Sequence, residues 1–326
     1  MVSVVIPMYN ERENARDTLT AVADALHTAG FDYELIPVSD GSTDGTADEL
    51  SAIAAEDPQV RPVAYATNRG RGYALRRGFE QARGEYVASL DADLSYTPDH
   101  VVLLVQTLKD DPEVDVAVGS PYMPGGAVEG VSASRLAISK AGNVVLRYSL
   151  PEPIHTSTGI LRAYRAPVLQ SLDLESEGKE IHLEILSKSM ALGYRIVEVP
   201  STLRSRKKGT SSFKLKSTAS SHILFSVLQR PTAIFGVVGV LLVTAGIITA
   251  GYLLGEYLTG SLNPERPLMT VMLLLFLVGV LLLGFAIVAQ QLLELQKDVI
   301  RLQGDVRRLR AEVGAVEGAA GDDRDA

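Results

Sequence analysis

Asp91 and Asp93 flank Ala92 at the end of a short apolar run, residues 86–90. Two carboxylates on one turn can share a hard divalent cation, Mg2+ or Mn2+, whose remaining positions go to water and diphosphate oxygens. Such a cation is a Lewis acid that neutralises charge developing on a departing nucleoside diphosphate. The triplet alone is a weak signal, because acidic residues also gather in solvated loops. It gains specificity from company. Pro7-Met8-Tyr9-Asn10-Glu11 follows a first apolar run, Ser39-Asp40-Gly41-Ser42 a second, and Asn68-Arg69-Gly70-Arg71-Gly72 a third.

These clusters need elements to position them. Residues 2–6 are apolar and β-branched and end at Pro7, the pattern of a buried strand. Residues 33–38, 60–66, 86–90 and 114–119 read the same way. Between them, residues 16–27, 47–55 and a stretch through Ala82 carry apolar residues at helical spacing. Strand–helix alternation predicts an α/β domain with a mostly parallel sheet and helices on both faces. Ligands of such sheets bind at the carboxyl ends of the strands, where all the polar clusters fall. Beyond residue 119 the pattern loosens. Residues 121–134 read as a mobile loop, 136–148 as helix, 159–165 as a hairpin-like segment, 180–192 as helix and 195–199 as strand.

The chain has 326 residues, no cysteine, a net charge of −8 and 46% hydrophobic residues. Absence of cysteine excludes disulfides, thiolate metal sites and a cysteine nucleophile. The negative balance argues against general nucleic-acid binding. The apolar excess lies in two uncharged blocks, residues 232–254 and 268–290, each longer than the roughly 20 residues an α-helix needs to cross a bilayer core. The first thirty residues carry no signal-peptide pattern. The expected organisation is a catalytic domain over 1–230, two spans over 231–290 and a helical tail over 291–326. In the tail, Leu292, Leu295, Val299, Leu302, Val306, Leu309, Val313 and Val316 hold an alternating spacing of three and four, the seam of a coiled coil or one face of a lone amphipathic helix. The coiled-coil reading predicts a homo-oligomer. Residues 321–326 read as disordered.

In order, spacing and strand context, these motifs resemble the inverting glycosyltransferase family 2, whose fold is the GT-A nucleotide-binding fold. Within it the chain resembles the dolichyl-phosphate mannose and glucose synthases over roughly residues 2–215. The resemblance implies that Pro7, Tyr9 and Glu11 line the nucleoside pocket and that Asp40 contacts base or ribose. It assigns Asp91, Ala92 and Asp93 to the metal and diphosphate site, with Arg69 and Arg71 near the donor. Ser95 stands where relatives often carry Gln. Asp40 also suits a helix cap or an Asx turn, and Glu11 a helix-start charge beside the dipole. On the acceptor side, Arg135 is similar to the Arg that meets the lipid phosphate. Thr158-Gly159 with Arg165 resembles an element lining the site, and His155 replaces an acidic residue. Arg206-Lys207-Lys208-Gly209-Thr210-Ser211 resembles a phosphate-contacting element, so Arg206 and Lys208 join Arg135 as acceptor-phosphate residues. Arg204, Lys214 and Lys216 extend the basic cluster, which equally suits the positive-inside flank of a span.

The reaction implied is transfer of a hexose from a UDP- or GDP-sugar to a polyprenyl or dolichyl phosphate on the cytosolic membrane face, with both termini cytoplasmic. Lys297, Arg301, Arg307, Arg308 and Arg310 after the second block agree with that orientation. An ionised lipid phosphate needs no strong general base, so alignment and charge neutralisation suffice. A sugar hydroxyl acceptor would need one, with Glu180 or Glu184 as candidates. Other membrane acceptors (a diacylglycerol or lipid-linked saccharide) and a non-catalytic nucleotide-sugar-binding scaffold are the alternatives. A processive polysaccharide synthase is disfavoured: there is no Trp in the chain and hence no Q-x-x-R-W element.

Overall fold

The computed structural model describes residues 1–130, 154–204, 235–260 and 267–322. For 297, 300, 301, 304, 305 and 307–322 the backbone alone is described. Arg135, Arg206 and Lys208, the predicted helix over 136–148 and the rest of the basic cluster beyond Arg204 up to residue 216 lie outside the described residues.

The chain divides into two units, residues 1–222 with 300–326, and residues 223–299. In the first, strand β1 (Val2–Met8), helix α1 (Arg12–Thr28), β2 (Tyr33–Asp40), α2 (Thr46–Glu56), β3 (Val63–Tyr65), α3 (Arg71–Gln81) and β4 (Tyr86–Ser89) follow the predicted alternation. Then come α4 (Asp99–Asp110), β5 (Val116–Ser120), β6 (Ala127–Glu129), β7 (Arg162–Arg165), α5 (Ala166–Ser171), α6 (Ile181–Ala191), β8 (Ile196–Pro200) and β9 (Thr202–Arg204). The seven-stranded sheet runs β3-β2-β1-β4-β7-β5-β8. Every pairing in it is parallel except those of β7 with β4 and β5.

Alternation in β1 shows how the layers form. Val2, Val4, Ile6 and Met8 join a core with Leu19 and Val22 of α1 and Leu104 of α4. Val5 points the other way, into a core with Leu75 of α3 and Ile185 of α6. Period-two side chains thus bury both sheet faces under helices, as a parallel sheet requires.

Two expectations are corrected and one helix is added. Residues 159–165 are not a hairpin. Their strand β7 inserts antiparallel between β4 and β5, so pairing partners distant in sequence replaced the local turn. Residues 127–129 of the supposed loop pair in parallel with β9. Helix α4, which follows the acidic triplet, was not anticipated, although Val101, Leu104, Val105 and Leu108 sit on its buried face at helical spacing.

Helices α7 (Val237–Leu258) and α8 (Leu268–Asp322) carry the two apolar blocks. Both contain stretches long and apolar enough to cross a membrane, Val237–Leu258 and Leu268–Gln296. They are not buried core helices: Leu241, Ile248, Leu273 and Phe285 are each more than half exposed. The two pack closely, since a Cβ on Gly239 would lie 2.9 Å from Gly279 O and one on Gly246 3.2 Å from Phe276 N. The tail is not a separate element. The α8 backbone is helical through Gly321 and Asp322, which were expected to be disordered.

Candidate active site

The carboxyl ends of β1, β2 and β4 lie side by side at one edge of the sheet, with Met8 level with Ser39 and Val5 level with Ser89. Asp91 and Asp93 follow β4 directly. Thr18 Oγ1 of α1 donates to Ala92 O at 2.6 Å, and Ser95 N donates to Asp93 Oδ1 at 3.0 Å. Leu94 takes a left-handed conformation, φ 53°, unusual for a residue with a branched side chain. The acidic turn is therefore tied at Ala92 and at Asp93.

Arg71 Nη2 reaches Asp91 Oδ1 at 2.9 Å. Burial pushes the Asp91 carboxyl above its ordinary value and Asp93 adds to this, while Arg71 and Lys179 pull it down. Two carboxylates on one turn, of which Asp91 is raised by burial and by the neighbouring Asp93, form an all-oxygen pair whose chemistry suits a hard cation, so the residues fit Mg2+ or Mn2+. Among the described residues no third acidic or histidine group joins them. Remaining positions would fall to diphosphate and water.

Lys179 was not anticipated. It comes from the aperiodic 173–180 segment, which docks on the start of α3: Gly72 N and Tyr73 N donate to Glu177 O at 2.7 and 3.2 Å. The docking needs glycine, because a Cβ on Gly70 would sit 2.6 Å from Glu177 O and one on Gly72 2.5 Å from Ser176 O. The Gly70-Arg71-Gly72 spacing is thus a packing requirement of the segment that carries Lys179, whose charge acts on the carboxylate Arg71 contacts. Arg69 turns away, pairing with Glu177 and stacking its guanidinium 3.9 Å over the Tyr73 ring.

Asp40 is 4% exposed and its carboxylate is occupied. It accepts from Arg69 N (2.8 Å), Gly70 N (2.9 Å), Tyr65 Oη (3.0 Å) and Asn68 Nδ2 (3.1 Å). It shapes the loop that presents Arg71. Pro7 is half-buried, Tyr9 exposed, and Glu11 starts α1, its Oε2 accepting from Asn14 Nδ2 at 2.6 Å. Asn10 N donates to Ser42 Oγ and Thr43 N to Asn10 Oδ1, lacing the β1 and β2 loops together.

On the far side, the structure separates Arg162 from Arg165. Arg162, fully buried, donates to Gly159 O (2.9 Å), His182 O (2.7 Å) and Ser157 O (2.6 Å). It moulds the segment carrying Thr158 and Gly159 behind Tyr96, whose hydroxyl burial and Asp91 push to a raised pKa. Arg165 lies at the opposite sheet edge, level with Tyr86 and donating to Val114 O, so it is not a site residue. The two pair at opposite ends of β4, Arg162 with Ser89 and Arg165 with Tyr86, and their three-residue step also puts them on opposite faces of β7. His155 is half-exposed, and Glu198 accepts from its backbone N (2.9 Å), its ring and Thr156 N.

Neither proposed base is placed for that role. Glu184 accepts from Glu175 N and Ser176 N at 2.9 Å and Lys188 Nζ at 2.7 Å. Burial tends to raise its carboxyl, yet these donors hold it below the usual value, making it a poor proton acceptor. Glu180 accepts from Gly178 N at 3.1 Å.

The model for glycosyl transferase family 2 matches residues 3–173. A dolichol-phosphate mannosyltransferase of Pyrococcus furiosus is 34% identical over 218 residues, 66% of this chain and 60% of that protein, so the chain spans less than two thirds of its length. A polyprenol monophosphomannose synthase of Mycolicibacterium smegmatis is 34% identical over 233 residues, 69% of this chain and 85% of that one. Among solved structures, glucosyl-3-phosphoglycerate synthase from Mycobacterium tuberculosis in complex with Mn2+, UDP and glucosyl-3-phosphoglycerate superposes with a TM-score of 0.53 at 22% identity, over 70% of this chain and 79% of that one. The observed sheet is thus the GT-A arrangement that the motifs implied.

Proposed function

The chain belongs to glycosyl transferase family 2, and from that premise we propose that it transfers a hexose from a UDP- or GDP-hexose to a polyprenyl or dolichyl phosphate on the cytosolic face of a membrane. The observation that carries this reading is the junction of Asp91 and Asp93 with Arg71 and Lys179 at the strand ends. It is supported by the two membrane-length helices and by relatives named for mannosyl transfer to polyprenyl carriers. Mannose is accordingly the first hexose to test.

Asp91 and Asp93 would hold a divalent cation, which when bound supplies positive charge at the leaving diphosphate. Arg71 is placed to exchange its contact with Asp91 for a phosphate oxygen, and Lys179 adds a second cationic side chain at the same carboxylate. Asp40 keeps Arg71's loop in place. Tyr9, Pro7 and Glu11 border the nucleoside side, and Arg135, Arg206 and Lys208 take the acceptor phosphate. The acceptor arrives ionised, so its oxygen attacks without a general base, consistent with Glu184 being tied up in its own loop. The residues align two anions and neutralise their repulsion, which is the main catalytic demand.

Membranes bearing the protein, incubated with a panel of labelled UDP- and GDP-hexoses with and without dolichyl phosphate, test the reading. It predicts one labelled, acid-labile lipid that depends on added carrier. Label appearing instead in diacylglycerol or in a lipid-linked saccharide would replace the acceptor, and donor binding with no transfer to any lipid would leave a scaffold.

A further inference from the structure

Helix α8 presents one apolar stripe along most of its length. Val271, Leu274, Val278, Leu281, Phe285, Val288, Leu292, Leu295, Val299, Leu302 and Val306 alternate in steps of three and four, and each is at least 38% exposed. Between Leu268 and Gln296 lipid can cover such a stripe, and other faces there are apolar too. Past Gln296 polar residues flank it: Val299, Leu302 and Val306 are 50%, 65% and 47% exposed while Asp298 and Gln303 stand beside them. An apolar seam that continues into water needs a partner.

Helix α7 is not that partner. It packs against Met272, Phe276, Gly279 and Leu283 of α8, and Ala286 on that face is 3% exposed. In the heptad frame where Leu292 is position a, these residues are b and f positions. The α7 contact therefore lies across the helix from the a/d stripe and leaves it open.

We infer that the stripe is the seam of a parallel, two-stranded coiled coil with a second copy of this chain. The residue types choose the strand number. From Leu295 onward, at the end of the span and past it, position a holds Val299, Val306 and Val313 and position d holds Leu295, Leu302 and Leu309; β-branched residues at a with Leu at d favour two strands. The membrane chooses the direction, since two copies inserted with one topology send their tails out on the same side. Register supplies charge complementarity, with Asp305 at g and Arg310 at the following e position, the pair that meets across a parallel seam. Glu312 and Glu317 repeat that relation with like charges, which opposes pairing at the last heptad. The inference uses nothing of the transfer reaction.

The chain lacks cysteine, so single-cysteine variants of the full-length protein in membranes report the seam directly. Leu295→Cys and Leu302→Cys should cross-link to a covalent dimer under mild oxidation several-fold more than Glu294→Cys, which lies one residue from Leu295 but at an outer c position. Native mass measurement of the unmodified protein in detergent should give two chains. Equal linking at 294 and 295, or none at 295 and 302, overturns the seam. Preferential linking of Leu295→Cys to a co-expressed Val306→Cys overturns the parallel direction, and a mass of one, three or four chains overturns the strand number. Hexose transfer measured on the same membranes reports separately on the catalytic reading.

Discussion

Arg71 Nη2 lies 2.9 Å from Asp91 Oδ1, so the arginine between two docking glycines holds the first carboxylate of the acidic pair. Burial and Asp93 raise the Asp91 carboxyl, and Arg71 is the largest influence lowering it. The ionised form is the one able to hold a cation. Activity should therefore fall as pH drops through the raised Asp91 value, and Arg71→Ala, by removing the lowering charge, should move that acid limb to higher pH. Profiles of kcat/KM against pH for the two proteins check this; an acid limb that stays in place would refute the coupling.

Asp93→Asn should abolish transfer and Asp91→Asn cripple it, with both proteins still folded. Each loses negative charge that a divalent ion needs at the diphosphate. EDTA should silence the wild type and added Mg2+ or Mn2+ restore it. Transfer surviving chelation, or a near-normal rate in Asp93→Asn, would remove the metal from the mechanism.

Arg135→Ala and Arg206→Ala should raise the apparent KM for lipid phosphate more than that for the nucleotide-sugar. On the proposed reading each substitution would delete a charge-assisted contact of about 1.5–3 kcal/mol. An equal loss of donor affinity with unchanged lipid dependence would place these residues in the other subsite.

Glu184 gives a pH signature in stability. Burial works to raise its carboxyl, but Lys188, Ser176 and Glu175 outweigh it and the folded value is lowered. A lowered carboxylate stabilises the fold above its unfolded value, near about 4.3, and that contribution disappears as pH falls through the folded value. Glu184→Gln should cost about 1.5–3 kcal/mol at neutral pH, with the gap closing in acid. Unfolding in detergent across pH measures it, and a gap independent of pH would contradict the linkage.

Much of the donor side was legible because its residues sit where strands end, and strands announce themselves by composition. Asp91, Asp93, Asp40 and Arg71 all fall at or just beyond the strand ends that local pattern marks, Asp40 closing β2 and Arg71 opening α3. What local pattern cannot supply is which distant segment fills a gap. Lys179 acts electrostatically on Asp91 from the 173–180 segment that lies on Gly70 and Gly72, and those glycines look like ordinary turn residues until the segment is seen on them. Arg162 and Arg165 are three residues apart on β7, and their fates differ because that strand runs antiparallel between neighbours remote in sequence. Asp40 was found, but how completely the backbone of 69–70 occupies its carboxylate depends on a loop thirty residues away.

The docking of Glu177 on α3 has a further consequence. The amino terminus of a helix is a ready seat for phosphate because its N–H groups point outward. Here Gly72 N and Tyr73 N already face Glu177 O, so a protein carbonyl sits in that seat. Negative charge arriving at this edge meets long cationic side chains instead of a rigid backbone cradle. Attraction of that kind is screened over about 8 Å at physiological ionic strength. The enzyme's hold on its donor should consequently weaken as salt is added, and its working affinity becomes a property of the ionic medium as much as of the pocket.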